Sequence, residues 1–205
     1  MCDLIKDFVK AFFAGVLIGI SCVLFLSVDN AIIGSLMFSV GLLAILVLKL
    51  YLFTGKAPYI VVNKPKYCFT VIVTWLGNFA GTYIIATLIK YTRVSEQILN
   101  KCATLVEAKL ADSLLSLFIL SVFCGALMFI AVNTYNTYKE NIFAGTLLLI
   151  LCVGTFILSG FEHSVADMFY FTLAKPGIEW LSQLMIVSVG NIVGGNLFCL
   201  TKKLN

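Results

Sequence analysis

Charge is what this chain of 205 residues has least of: only 12% of its positions are charged, one histidine occurs, and three prolines are present. With 61% hydrophobic residues and a mean hydropathy of +1.05, it lacks the polar surface a water-soluble domain requires. Its low charge also excludes intrinsic disorder, and the absence of a glycine repeat excludes a collagen-like chain. The 14 Lys and Arg and the 10 Asp and Glu are spread thinly between apolar blocks. No basic stripe or aromatic platform emerges, so nucleic acid is not an expected partner. The seven cysteines show no CxxC spacing and mostly fall inside apolar runs. They read as small buried hydrophobes, with neither a disulfide framework nor a thiolate metal site expected. No cofactor is implied.

What is present is apolar length. A spanning helix needs roughly 20 apolar residues to cross about 30 Å of hydrocarbon. Six stretches fit: about Phe8 to Val28, Ala31 to Leu48, Phe69 to Ile89, Leu114 to Val132, Ile142 to Gly160 and Leu181 to Leu200. No β alternation competes with them, and the first has no small-residue cleavage pattern, so it reads as retained. The connections, Asp29-Asn30, Thr54 to Lys66, Lys90 to Asp112, Asn133 to Asn141 and Glu162 to Trp180, are too short for a separate soluble domain. The expectation is an all-α integral membrane protein of six transmembrane helices, forming a single channel domain over residues 1–205. Lysine and arginine accumulate in cytoplasmic loops. With the N-terminus inside, Lys6, Lys10, Lys56, Lys64, Lys66, Lys139, Lys202 and Lys203 share that side with Asp3, Asp7 and Glu140. Lys90, Arg93, Lys101, Lys109 and Lys175 lie opposite with Asp29, Glu96, Glu107, Asp112 and Glu179. Both termini are therefore expected on the cytoplasmic face of a cell membrane.

The two halves repeat each other. Leu76-Gly77-Asn78-Phe79-Ala80-Gly81 in the third stretch corresponds to Val189-Gly190-Asn191-Ile192-Val193-Gly194-Gly195 in the sixth, and three spans per half force inverted topology. Each motif is preceded by an interrupted helix, broken at Leu52-Phe53-Thr54-Gly55 in one half and at Gly160-Phe161-Glu162-His163-Ser164 in the other. Paired breaks in inverted repeats, here over about 8–89 and 110–200, point to a transport pathway near the midplane. Close helix packing accounts for the glycines, but not for the buried asparagines or the matched breaks.

Ionisable groups at membrane depth are expensive, which makes them functional candidates. His163 stands with Glu162 and Asp167 beside it; as a metal site it lacks a third ligand. Lys109, at the approach to the fourth stretch, would draw monovalent anions toward a funnel, while a lysine there also commonly solvates an interface. Phe38, Leu42, Leu52, Phe53 and Phe156 near the breaks form candidate apolar constrictions that exclude hydrated ions.

The string from Gly160 to Phe169, Gly160-Phe161-Glu162-His163-Ser164-Val165-Ala166-Asp167-Met168-Phe169, resembles the signature of the formate/nitrite transporter family. Leu52-Phe53-Thr54-Gly55 resembles the family's omega-loop, Gly190-Asn191-Ile192-Val193-Gly194-Gly195 its last-helix motif, and Ala14-Gly15-Val16 fits as well, so the resemblance runs from about residue 8 to 200. It implies a homopentamer of aquaporin-like protomers in the lipid bilayer. Each would have its own pore for formate, nitrite, hydrosulfide or their conjugate acids. By position His163 would be the pore histidine and Thr54 its hydrogen-bonding partner. Leu42, Leu52 and Phe53 would form one constriction, Phe38 and Phe156 the other, and Lys109 would be the vestibule lysine. Asn78, Asn191 and Glu162 would support the broken helices.

Three positions depart from the family pattern: Gly125 where many members carry an asparagine facing the histidine, Tyr51 where an acid often precedes the Leu-Phe-Thr string, and Asp167 in place of a common asparagine. The mechanism expected from these residues starts with Lys109 attracting the anion and the phenylalanine slit removing its water. A proton relayed through His163 then lets a neutral acid cross, oriented by Thr54 and the backbone N–H groups of the broken helices. Alternatives from other classes are an aquaporin-like channel for water, glycerol or urea, an intramembrane enzyme pairing His163 with Asp167 or Ser164, and a purely structural membrane protein.

Overall fold

The computed structural model describes residues 2–138, 141–175 and 177–202, so Lys139, Glu140 and Lys203 of the charge count above lie outside the described residues. Among the described residues the chain is helical: α1 (Cys2–Ser27), α2 (Ala31–Val47), α3 (Phe53–Lys56), α4 (Tyr67–Leu88), α5 (Ser95–Ala111), α6 (Leu114–Thr137), α7 (Ile142–Leu158), α8 (Ser164–Ala174) and α9 (Trp180–Thr201). Short polar side chains set several starts by taking orphan N–H groups. Asn30 Oδ1 accepts from Ile32 and Ile33 at 3.0 and 3.1 Å, Ser113 Oγ from Ser116 at 3.1 Å, and Asn141 Oδ1 from Ala144 at 3.1 Å.

The helices containing α1, α4, α6 and α9 are long and apolar enough to cross a membrane, whereas α2 and α7 have 17 residues each. Both shorter helices end in the same way. Lys49 (φ 54°) and Gly160 (φ 67°) turn left-handed, and the next N–H groups, of Leu50 and Phe161, reach back to Ile45 and Phe156 carbonyls at 2.9 Å each. This is the usual αL helix stop, strain-free at glycine and strained at lysine. The chain then restarts as α3 or α8, giving the expected two broken segments.

Two connections contain more structure than expected. Within Lys90 to Asp112 runs α5, which buries Ile98, Cys102 and Val106 along one face and leaves its remaining residues half-buried or exposed, an amphipathic helix hidden by its low mean apolarity. Lys101 fastens it to the α1–α2 turn by an ion pair with Asp29 at 2.7 Å, and the bonded ammonium holds the Asp29 carboxyl below its usual range. Within Glu162 to Trp180 runs α8, buried along most of its length.

In each half the first helix packs on the last, α1 on α4 and α6 on α9. The halves then lock crosswise, with α8 against α4 and the turn after α3 (Ala57–Val62) against α9. Trp75, Phe79 and Trp180 stack across α4 and α9 at 5.9 and 6.4 Å, and Trp75 Nε1 donates to Ser188 Oγ at 3.0 Å. The close crossings need glycine. A Cβ on Gly81 would strike the backbone of Phe12 and Val16, and one on Gly194 the backbone of Val122 and Ala126. The cysteines expected in the core are there: Cys22, Cys102, Cys124, Cys152 and Cys199 are buried, and Cys68 is half-buried.

Gly81→Val and Gly194→Val should each push a helix pair apart and cost about 1–3 kcal/mol or more. Gly154→Ala, whose Cβ would touch only Leu36 Cδ2 at 3.3 Å, should be tolerated. Thermal unfolding of the purified variants in detergent measures the difference.

Candidate functional site

Each break exposes backbone groups that a bilayer cannot satisfy, and one asparagine in each half takes them. Asn78 Oδ1 accepts from Phe53 N–H at 2.7 Å, while its Nδ2 donates to Tyr51 C=O at 2.9 Å and Ala11 C=O at 2.7 Å. Asn191 does the same around the other break. Its Oδ1 accepts from Ser164 N–H at 2.9 Å and its Nδ2 donates to the Glu162 and Ser121 carbonyls at 2.8 Å each. Both side chains are buried.

The two restarted helices meet through Thr54 of α3 and His163, the N-cap of α8. His163 Nδ1 accepts from Ala166 N–H at 3.2 Å, and Nε2 lies 2.9 Å from Thr54 Oγ1. Because Nδ1 spends its lone pair on the cap, the neutral ring carries its proton on Nε2 and donates it to Thr54. Phe156 stacks on the imidazole at 5.5 Å between centroids and meets Phe38 edge-on at 6.1 Å. His163, Phe38 and Phe156 line a cavity of about 320 Å³ that opens beneath α5. Leu42 and Leu52 line a second cavity, of about 370 Å³, near the chain termini. The Thr54–His163 bond joins the two walls.

The two mouths carry different charge. Under α5, Lys109 Nζ pairs with Glu162 and with Asp167 Oδ1, the latter at 3.0 Å. Burial disfavours the ammonium, but Asp167 and Glu162 together outweigh it and raise the Lys109 pKa above the ordinary lysine value, so the charge is kept. Near the termini the cavity is lined by Lys49, Lys56, Tyr51, Tyr59 and Tyr67, with no carboxylate among its lining residues. Lys10 and Lys56 sit on the Tyr51 ring, at 4.9 and 3.7 Å from its centroid, and Lys202 lies 5.5 Å over that of Tyr59.

Most residues singled out from the sequence therefore come together: His163, Phe38 and Phe156 line one cavity with Lys109 and Glu162, Leu42 and Leu52 line the other, and the buried Thr54 bonds to His163. Phe53 is buried but lines neither cavity; its N–H is the group Asn78 holds. Two expectations need correction. Gly125 does not face the histidine: a Cβ there would strike the Asn191 backbone, just as one on Gly15 would strike that of Asn78. It is a helix-crossing glycine. The N–H groups of Phe53, Ser164 and Ala166 are not free to orient a passing anion, since Asn78, Asn191 and His163 already accept from them. Sequence reasoning also missed that Asp167 shares Lys109, and that Tyr51 is held between two lysines. The spacing of Asp167 from His163, one turn along a helix, was the available signal for the first; nothing local signals the second.

The family profile described as formate/nitrite transporter matches residues 2–203. The formate channel FocA of Haemophilus influenzae is 26% identical over 200 aligned residues, covering 80% of this chain and 70% of that one. The nitrite transporter NirC of Escherichia coli is 24% identical over 217, covering 93% and 79%. Among solved structures, one described as a pentameric formate channel with formate bound superposes with a TM-score of 0.85 at 24% identity, over 98% of this chain and 96% of that one.

Asn191→Ala should remove three buried hydrogen bonds and leave their partners unsatisfied, at about 1–3 kcal/mol for each orphaned group. Thr54→Val orphans only the His163 Nε2–H. The unfolding midpoint in detergent should fall much further for the asparagine variant.

Proposed function

The chain belongs to the formate/nitrite transporter family, a family of membrane transporters rather than enzymes, and from that premise we propose that it passes small monovalent anions, or their conjugate acids, through a pore within each protomer of a homopentamer. Formate and nitrite are the reference substrates and hydrosulfide belongs to the same class. The observation that carries this reading is the pair of cavities separated by the Thr54–His163 bond.

A bare anion entering that separation gives up its water in a low-dielectric slot, whereas the neutral acid avoids most of the penalty. Phe38 and Phe156 on one side and Leu42 and Leu52 on the other act as the apolar constrictions. Thr54 accepts from His163, which leaves its own hydroxyl hydrogen to donate to the passing solute. Protonating His163 on Nδ1 would break the bond that caps α8, so His163 serves as a fixed donor at the pore centre and keeps the Thr54 hydroxyl in one orientation. The protein is a multi-pass protein of the cell membrane with both termini in the cytoplasm. Lys10, Lys56 and Lys202 gather at the mouth near the termini, in keeping with the positive charge that cytoplasmic faces retain.

Flux into proteoliposomes, measured for formate, nitrite, hydrosulfide, lactate and urea at acidic and neutral pH, tests the reading. Small acids should pass and urea should not. His163→Ala should change the pH profile or the selectivity several-fold in protein that remains folded. Equal passage of urea with an indifferent His163 would make this a neutral-solute channel instead.

A further inference from the structure

Beneath α5 two carboxylates share one ammonium. Glu162 and Asp167 are 5% and 1% exposed, and both pair with Lys109 Nζ. Fully ionised, the three groups would hold a net negative charge at the mouth through which an anion must come. Burying that excess charge is costly, because the interior does not solvate an unpaired carboxylate as water does. Among the described residues, apart from the Lys109 ammonium, no hydroxyl, amide or backbone N–H donates to either Asp167 oxygen. The groups facing Asp167 from the surrounding elements offer no second positive charge. They are Lys109 from α5, Glu162 from the break, Cys22 from α1, Cys124 from α6 and Tyr170 from α8 itself, with the neutral His163 and the carboxylate of Asp112, which caps α5, lining the same cavity. Because both close on the same Lys109 Nζ, the Glu162 and Asp167 carboxyls are close neighbours, and a hydrogen bond between them would bridge the pair. Two carboxylates make that bond only when one of them is protonated.

We infer that Glu162 and Asp167 hold one proton between them at neutral pH, and that this carboxylic acid is the donor that neutralises an anion entering from the α5 side. The inference rests on the proposed anion pathway for its second half and on the cluster's geometry alone for its first. With the proton in place the cluster is neutral overall, and an anion meets Lys109 without net repulsion from its two buried carboxyl partners. In the step itself the O–H bond of the shared acid breaks and an O–H bond forms on the anion, or S–H for hydrosulfide. The neutral acid moves on past Phe38 and Phe156. The cluster is left as two carboxylates beside one ammonium, and water at the α5 mouth returns the proton. The titrating pair belongs to this chain because position 167 is an aspartate rather than an amide.

Infrared spectroscopy of the folded protein in lipid at neutral pH tests the first half without any transport. A carbonyl stretch of a protonated carboxylic acid should be present, lost in Asp167→Asn, retained in Asp167→Glu, and shifted or lost in Glu162→Gln, which serves if the aspartate variant fails to fold. No such band in the unaltered protein, or one that survives both Asp167→Asn and Glu162→Gln, overturns the shared proton. Flux tests the second half. Formate uptake at neutral pH should drop several-fold in Asp167→Asn and recover in Asp167→Glu. Unchanged uptake after loss of the band overturns the donor role while leaving the shared proton standing. Absence of formate uptake by the unaltered protein overturns the donor role together with the anion pathway, again without touching the infrared result.

Discussion

A backbone interrupted inside a bilayer has to find its hydrogen-bond partners within the protein, because lipid supplies none. That constraint organises this molecule. Asn78 and Asn191 each hold one N–H and one C=O across a break and tie both to the first helix of the same half. To reach so far, each asparagine must sit where two helices nearly touch, which is why Gly15 and Gly125 face the asparagine backbones. The glycines and asparagines of the repeated motif are thus one device: the glycines bring the helices together and the amide spans the break.

The same requirement shapes His163. A helix restarting at depth needs a cap, and the imidazole supplies it through Nδ1, which leaves only Nε2 to face Thr54. One side chain therefore terminates a helix and presents a donor with a fixed tautomer between two cavities. The charges are kept back from this point. Lys109, Glu162 and Asp167 stay under α5, and the lysines of the other mouth lie against tyrosine rings, where cation–π contact replaces a carboxylate partner.

Much of this was legible in the sequence because membrane depth leaves few choices. Long apolar stretches, two breaks and two asparagines at matched spacing specify broken helices in inverted halves before any coordinate is known. What escaped was set by packing across distance. α5 was hidden because only every fourth residue of it is buried. The partners of Lys109 lie far along the chain, on a break and a half-helix whose orientation depends on Asn191. Gly125 matched a family position by count, yet which face of α6 it occupies follows from where α9 crosses, and no local pattern records that.

The neutrality of the Thr54–His163 contact between cavities of about 320 and 370 Å³ has an electrical consequence. With the charged groups held back at the two mouths, whatever passes this contact crosses the transmembrane voltage with only its own charge. An ion carrying one charge through it exchanges about 2.3 kcal/mol with the field for each 100 mV, whereas a neutral acid exchanges nothing, so the species that crosses decides whether the voltage drives the traffic or is blind to it.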